Sequence, residues 1–200
     1  MVQRIVNDIR DALNNNLYFA ALISALTLPD ICGKAEYPNE KSRERYIKWY
    51  DKEIGQYEKN PFQNSEEEMP YLSGNVIYSL RCALLHAGNP NVENDKLCKA
   101  GELPINHFVL KVESKKEFDI YSDSSGISDI YGQHRRSYTM SVNRICGIIC
   151  DSAELYYKEN KEKFSFDYEL LDWDDAIKNL PPIDYHEVLK RGLDEKQLKF

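Results

Sequence analysis

Residues 73–88 read SGNVIYSLRCALLHAG, and this stretch decides how the chain folds. Ser73 carries a hydroxyl that can cap a helix N-terminus, and Gly88 with Pro90 behind it is a combination with which helices end. Between these limits, apolar residues recur every three or four positions, as they do on the buried face of a helix: Val76, Ile77, Leu80 and Leu84. The pattern predicts a helix that packs against others in a bundle.

The chain before this segment shows the same periodicity in two further places. Residues 2–26 predict a long helix, with the asparagines at 14–16 as the place for a break. Residues 40–58 predict a charged helix with aromatic residues on one face. Between the two, Pro29 and Gly33 predict a loop that lasts to about residue 39, because neither residue suits a helix interior.

The pattern changes after residue 104. Residues 105–112 alternate between apolar and polar side chains, a short second run follows at 118–121, and together they predict a β-hairpin. Ser, Asp and Gly then predict a loop over 122–132, and helical spacing returns from Tyr138 to Tyr156. We therefore expect a mainly α fold, a helical bundle with a β-hairpin inserted near residues 105–121.

The length and composition bound the number of domains. Two hundred residues with 42% hydrophobic content suffice for one sizeable core. We expect one domain over residues 1–200, with a helical bundle over 1–160 and a C-terminal extension over 161–200. Polar residues interrupt the N-terminal segment too often for a secretory signal or a membrane span, so we expect a cytoplasmic protein without a membrane partner.

The net charge of −7 argues against broad electrostatic attraction to nucleic acid. An RNA partner would have to be held at a local positive site. Two clusters supply such charges, although exposed cations are commonly no more than a solvated surface. The candidate RNA-binding residues in these clusters are Arg43, Arg45, Lys48, Arg135 and Arg136.

The sequence offers little support for a metal or a cofactor. Its five cysteines lack the spacing of a metal finger, and Cys146 with Cys150 falls on one helical face, so we expect reduced and mostly buried thiols. There is no glycine-rich phosphate loop, dinucleotide fingerprint or nucleophile elbow. We expect no metal site and no cofactor.

Arg81 and His86 are the candidate catalytic residues. A guanidinium can hold a phosphate, and an imidazole can transfer protons near neutral pH. Both residues lie among apolar neighbours, where an unused charge is costly. On an ideal helix, five positions separate the two side chains by about 140°. A structural alternative stays open, in which Arg81 pairs with an acid and His86 stabilises the helix C-terminus.

The segment Leu80–Gly88 resembles the signature helix of the HEPN superfamily (higher eukaryotes and prokaryotes nucleotide-binding domains), whose members carry Arg-x4-6-His at this place. The resemblance implies a helical bundle and metal-independent RNA cleavage at a site shared across a homodimer. It assigns phosphate binding to Arg81 and proton transfer to His86. It also implies a toxin or phage-defence setting, with an antitoxin protein as a possible partner.

The chain departs from the family pattern directly after the arginine. Many catalytic members have Asn, Asp or His there, whereas this chain has Cys82. A second class of function therefore stays open, that of a non-catalytic nucleotide-binding or protein-interaction module with the same fold.

Overall fold

The computed structural model describes residues 1–57, 73–88, 105–112, 122–127 and 134–165, and the single residues 173, 178, 186, 189 and 190. It describes the backbone alone for residues 57, 86, 87, 105–107, 122–127 and 134–138. The chain divides into two compact units, Met1–Phe166 and Asp167–Phe200. The prediction of one domain with an extension after residue 160 stays a prediction.

The described part of the first unit is mainly α-helical, as the sequence predicted. Within it, no helix is long and apolar enough to cross a membrane. The helices are α1 (Val2–Asn14), α2 (Tyr18–Ala25), α3 (Leu28–Glu36), α4 (Ser42–Glu53), α5 (Gly74–Cys82) and α6 (Val142–Glu159).

The predicted break at the asparagines is confirmed, and it separates α1 from α2. The Asn15 side chain donates a hydrogen bond to the Asp11 carbonyl oxygen at 2.8 Å, next to the end of α1. Asn16 has a φ of 59°, in the left-handed region that asparagine tolerates better than most residues. The chain therefore turns here and starts a second helix.

The predicted loop at 28–39 is wrong for most of its length, because residues Leu28–Glu36 form α3. Pro29 lies in the first turn, where its missing N–H costs no hydrogen bond. Gly33 lies where α3 crosses α4, and a Cβ at this position would stand 2.7 Å from the Arg45 carbonyl oxygen. The glycine serves close packing of two helices and does not end one.

The predicted start of α5 is confirmed, and the helical segment stops at Gly88 as predicted, although α5 itself ends at Cys82 and residues Ala83–Ala87 are π-helical. The Ser73 hydroxyl accepts a hydrogen bond from the Val76 N–H at 3.3 Å, and Gly88 has a φ of 66°. Gly74 brings α5 against α4, because a Cβ there would stand 2.8 Å from the Ile47 carbonyl oxygen. Its N–H donates to the Asp51 carboxylate at 2.5 Å. Thus α4 has α3 as one close neighbour and α5 as another.

Among the described residues, three strands form a small sheet, β1 (Ile105–Lys111), β2 (Ser122–Ile127) and β3 (His134–Ser141), in the order β1-β3-β2. The predicted strand at 105–112 is confirmed. Its described partner, however, is β3, to which it runs parallel, and the predicted second strand at 118–121 lies outside the described residues.

Two further boundaries in this region were wrong. Residues 122–127 form β2, where the sequence predicted a loop. The backbone of this Ser- and Asp-rich segment pairs with β3 in antiparallel fashion, and this pairing outweighs its low intrinsic preference for a strand. The last helix begins at Val142, later than predicted, since residues up to Ser141 belong to β3. The Ser141 hydroxyl caps α6 by accepting from the Arg144 N–H at 3.3 Å.

The core lies between α6 and the N-terminal helices. Helix α6 packs on α1, α2 and α3, while α4 packs on α3 and α5. The predicted buried positions of α5 are confirmed, as is the packing role of several tyrosines. The largest fully buried side chains include Trp49, Tyr46, Tyr50, Phe108, Ile9, Leu22 and Ile77.

Candidate functional site

Helix α5 carries Arg81 in its last turn, and the side chain points toward the start of α3. Its Nη2 lies 2.7 Å from Oδ2 of Asp30. The Arg81 side chain is 20% exposed and that of Asp30 is 18% exposed. The ion pair is therefore largely shielded, although the Arg81 side chain as a whole is partly exposed.

Asp30 is itself fixed by its surroundings. It lies in the first turn of α3, where the helix dipole favours a negative charge. The Ser42 hydroxyl donates to its Oδ1 at 3.2 Å, while Oδ2 faces Arg81. Both carboxylate oxygens are thus engaged, and the carboxylate holds one edge of the guanidinium in a defined direction.

The surroundings of Arg81 raise its pKa. Burial lowers the pKa of Arg81, but the negative charge of Asp30 and a hydrogen bond with Cys82 raise it by more, so the net shift is upward. The group is a permanent cation. Its Nε is buried and has no hydrogen-bond partner among the residues that the structure describes.

The ring of Tyr78 joins Arg81 to a second arginine. The Arg81 guanidinium carbon lies 5.7 Å from the ring centre, and that of Arg43 lies 5.9 Å from the same centre. Tyr78 in turn meets the buried Tyr46 edge to face, with 5.2 Å between ring centres. These contacts assemble what we call the Tyr78 cluster: Asp30, Arg43, Tyr78 and Arg81.

Directly after Arg81 and Cys82 the helix widens. Residues Ala83–Ala87 form a π-helical turn, which we call the wide turn, and Gly88 ends it. A π-helical turn rotates the chain by less per residue than an α-helix does. The backbone of His86 therefore comes round closer to the side of Arg81 than the ideal helix of the sequence prediction would place it. The side chain of His86 lies outside the description.

The predicted RNA-binding residues lie in different surroundings. Arg43 joins the Tyr78 cluster. Lys48 does not, because its ammonium pairs with Glu40 and lies 5.7 Å from the Tyr37 ring centre. Arg45 is half-buried, with its Nε buried and unpaired within the described ranges. The side chains of the remaining two, Arg135 and Arg136, lie outside the description.

Sequence reasoning missed two members of the cluster, Asp30 and Tyr78. Asp30 fell within the predicted loop, although a proline followed by an acidic residue is also typical of the first turn of a helix. Tyr78 lies three residues before Arg81 on the same helix, a spacing that puts side chains in contact. No sequence signal paired Asp30 with Arg81 across fifty residues of chain.

The three buried cysteines, Cys32, Cys146 and Cys150, do not supply a nucleophile. Burial raises the pKa of the Cys150 thiol to about 12, and it raises those of Cys32 and Cys146 further still. These thiols stay protonated near neutral pH, and the thiolate is the reactive form. Nor does any group of three His, Cys, Asp or Glu residues that could hold a metal ion occur among the described residues.

Comparisons with protein-family models, with curated proteins and with solved structures found no match to this chain. The geometry of the Tyr78 cluster and the resemblance of residues 80–88 to the HEPN signature helix are therefore the features that bear on function.

Proposed function

We propose that this chain is an HEPN-like endoribonuclease that cleaves RNA without a metal ion, with Arg81 as the phosphate-binding residue and His86 as the proton-transfer residue. The observation that carries the proposal is the state of Arg81. Its guanidinium contacts Asp30 and Tyr78, its side chain is partly exposed, and it lies two residues before the wide turn that contains His86.

A guanidinium fixed in this way suits catalysis of phosphoryl transfer. Donors that already point where charge will develop need no reorganisation during the reaction, which makes their stabilisation of the transition state effective. In the proposed reaction the ribose 2′-oxygen attacks phosphorus, the bond to the 5′-oxygen breaks, and a cyclic phosphate remains. Arg81 binds the charged phosphate oxygens throughout.

In the proposed reaction, the imidazole of His86 performs proton transfer. One proton must leave the 2′-hydroxyl and one must reach the departing 5′-oxygen, and a histidine with a pKa near neutrality performs either transfer efficiently. In the proposed homodimer a second copy of the wide turn supplies the other histidine. A protein antitoxin that covers Arg81 would silence this site.

A specific observation supports the second candidate function, a non-catalytic nucleotide-binding or protein-interaction module. Asp30 already neutralises Arg81 in the free protein, so the pair satisfies the structural role of an arginine at a helix end. The residue after Arg81 is Cys82, which lacks the hydrogen-bonding capacity of an asparagine or aspartate.

Cleavage in the presence of EDTA tests the proposal. We expect the purified protein to cut single-stranded RNA into fragments with cyclic-phosphate ends, and we expect Arg81→Gln and His86→Ala each to lower the rate by at least about 100-fold. Arg4→Gln is the matched control, since Arg4 is an exposed arginine on α1. Circular dichroism establishes that each variant is folded. Intact RNA with the folded wild-type protein would favour the non-catalytic module.

A further inference from the structure

Arg43 is the least neutralised member of the Tyr78 cluster. Its Nη2 donates to the Asn75 side-chain oxygen at 2.9 Å, and an amide oxygen carries no net charge. Within the described regions no carboxylate pairs with it, and its side chain is exposed. The cluster therefore carries two positive charges and one negative charge, although the chain as a whole is acidic.

Two contacts keep Arg43 in place. The Asn75 amide, in the first turn of α5, holds one end of the guanidinium, and the Tyr78 ring lies beneath it. Tyr78 cannot move freely because its ring packs against the fully buried Tyr46. A long exposed arginine normally samples many rotamers, and these contacts reduce the entropy that a ligand would have to remove.

The separation of the two guanidinium groups suits neighbouring phosphates. Since both lie over one ring, their central carbons are at most about 12 Å apart. Phosphates on one nucleic-acid strand advance by roughly 3.4 Å of helix axis per nucleotide in a duplex, so two phosphates one or two steps apart fall within reach of both groups.

We infer that Arg43, seated on Tyr78, is a second phosphate-binding residue, and that it binds the RNA strand one or two phosphates away from the group held by Arg81. The inference rests on the proposed function for its ligand, but its test measures binding and does not depend on cleavage. It predicts that the site prefers an oligonucleotide to a mononucleotide.

The test is a salt titration of binding, with a fluorescent single-stranded RNA whose 2′-oxygens are all methylated so that it cannot be cleaved. When a protein binds one phosphate fewer on a single strand, the slope of log K against log salt falls by about 0.7. We expect Arg43→Gln and Arg81→Gln each to reduce the slope by about this amount. Arg43→Lys should keep the slope, because the charge remains, and Arg4→Gln should leave it unchanged.

Binding of a nucleoside 5′-monophosphate distinguishes a two-phosphate site from a single one. With only one phosphate to bind at Arg81, the mononucleotide should lose affinity in Arg81→Gln and keep it within about twofold in Arg43→Gln. An unchanged salt slope in folded Arg43→Gln would overturn the inference, as would equal losses of mononucleotide affinity in both variants.

The failures of the two proposals are distinguishable. If the wild-type protein leaves cleavable RNA intact while Arg43→Gln still reduces the salt slope, the second phosphate contact stands and the nuclease proposal fails. If RNA is cleaved while the slope does not change in Arg43→Gln, only the second contact is wrong.

Discussion

At the scale of single residues, the contact between Asp30 and Arg81 decides how the site is built. A surface ion pair contributes about 0–1 kcal/mol, and removing one partner of a fully buried pair costs about 3–5 kcal/mol; this pair, about four-fifths shielded from water, lies between the two cases. Removal of either partner leaves the other as an uncompensated, partly buried charge. The pair should therefore behave as one energetic unit.

A double-mutant cycle measures this coupling. We expect Asp30→Asn and Arg81→Gln each to lower the free energy of unfolding by about 1–2 kcal/mol. The double variant should lose less than the sum of the two by about 1 kcal/mol, because the second substitution removes a charge already left unpaired. Urea denaturation gives all three values. Strictly additive losses would mean that the pair contributes nothing as a pair.

The residues of the site differ in how far the sequence revealed them. Ser73, Arg81 and Gly88 were predicted from local signals, because a helix cap, a helix-flanking cation and a helix end are properties of a few adjacent residues. Asp30 was not, because its role depends on a contact between helices that are distant in the chain. Arg43 was predicted as a candidate RNA-binding residue, but its position beside Tyr78 was not predicted.

At the scale of elements, two glycines determine how closely three helices approach. Gly33 allows α3 to lie against the backbone of α4, and Gly74 does the same for α5. These approaches bring Asp30 and Arg81 to the same side of α4 as Arg43. Gly33 favours a loop prediction because composition does not distinguish a glycine that ends a helix from one that allows close packing.

Gly33→Ala should therefore destabilise the protein. The added methyl would stand 2.7 Å from a backbone carbonyl oxygen, so α3 and α4 must move apart, and overpacking of this kind costs about 1–3 kcal/mol. The matched control is Gly147→Ala in α6, where nothing lies within 4 Å of the new Cβ. That substitution should stabilise the protein by about 0.5–1 kcal/mol, because alanine is the better helix former. Thermal denaturation compares the two, and equal effects would contradict the packing role of Gly33.

At the scale of the whole first unit, Glu36 links helices that are far apart in the sequence. Its carboxylate lies at the end of α3 and accepts hydrogen bonds from Lys163 at 2.5 Å, from the Tyr156 hydroxyl at 2.6 Å and from Lys52 at 3.1 Å. These residues come from α4, from α6 and from the turn after α6. The hydrogen bonds, with that from Lys163 the largest influence, lower the pKa of Glu36 from its ordinary value to about 2.

Glu36 should consequently make stability depend on pH in the acid range. A carboxylate whose pKa is lower in the folded state stabilises the fold above its unfolded value, near 4.3, and this contribution is lost as pH falls toward 2. We expect Glu36→Gln to cost about 1–2 kcal/mol at pH 7. The difference from wild type should shrink steadily below pH 5 in urea titrations. Glu162→Gln, at an exposed neighbouring position, should show no such trend, and a constant difference for Glu36→Gln would refute the assignment.

The fold class was predictable, whereas the arrangement of the sheet was not. Apolar residues every three or four positions predicted α1, α2, α4, α5 and α6 because such periodicity is a local property of the buried face. The parallel pairing of β1 with β3 joins segments about thirty residues apart, and the sequence of neither strand indicates which strand it pairs with. Strand order of this kind is a property of the assembled molecule.

The wide turn of Ala83–Ala87 also limits which changes of chain length this segment tolerates. A π-helical turn accommodates more backbone in one revolution than α-helical geometry does. Deletion or insertion of one residue inside it would rotate all later positions about the helix axis, by less than the roughly 100° per residue of an α-helix, and leave Arg81 where it is. The number of residues between Arg81 and His86 thus sets the direction of His86 about the helix axis relative to Arg81.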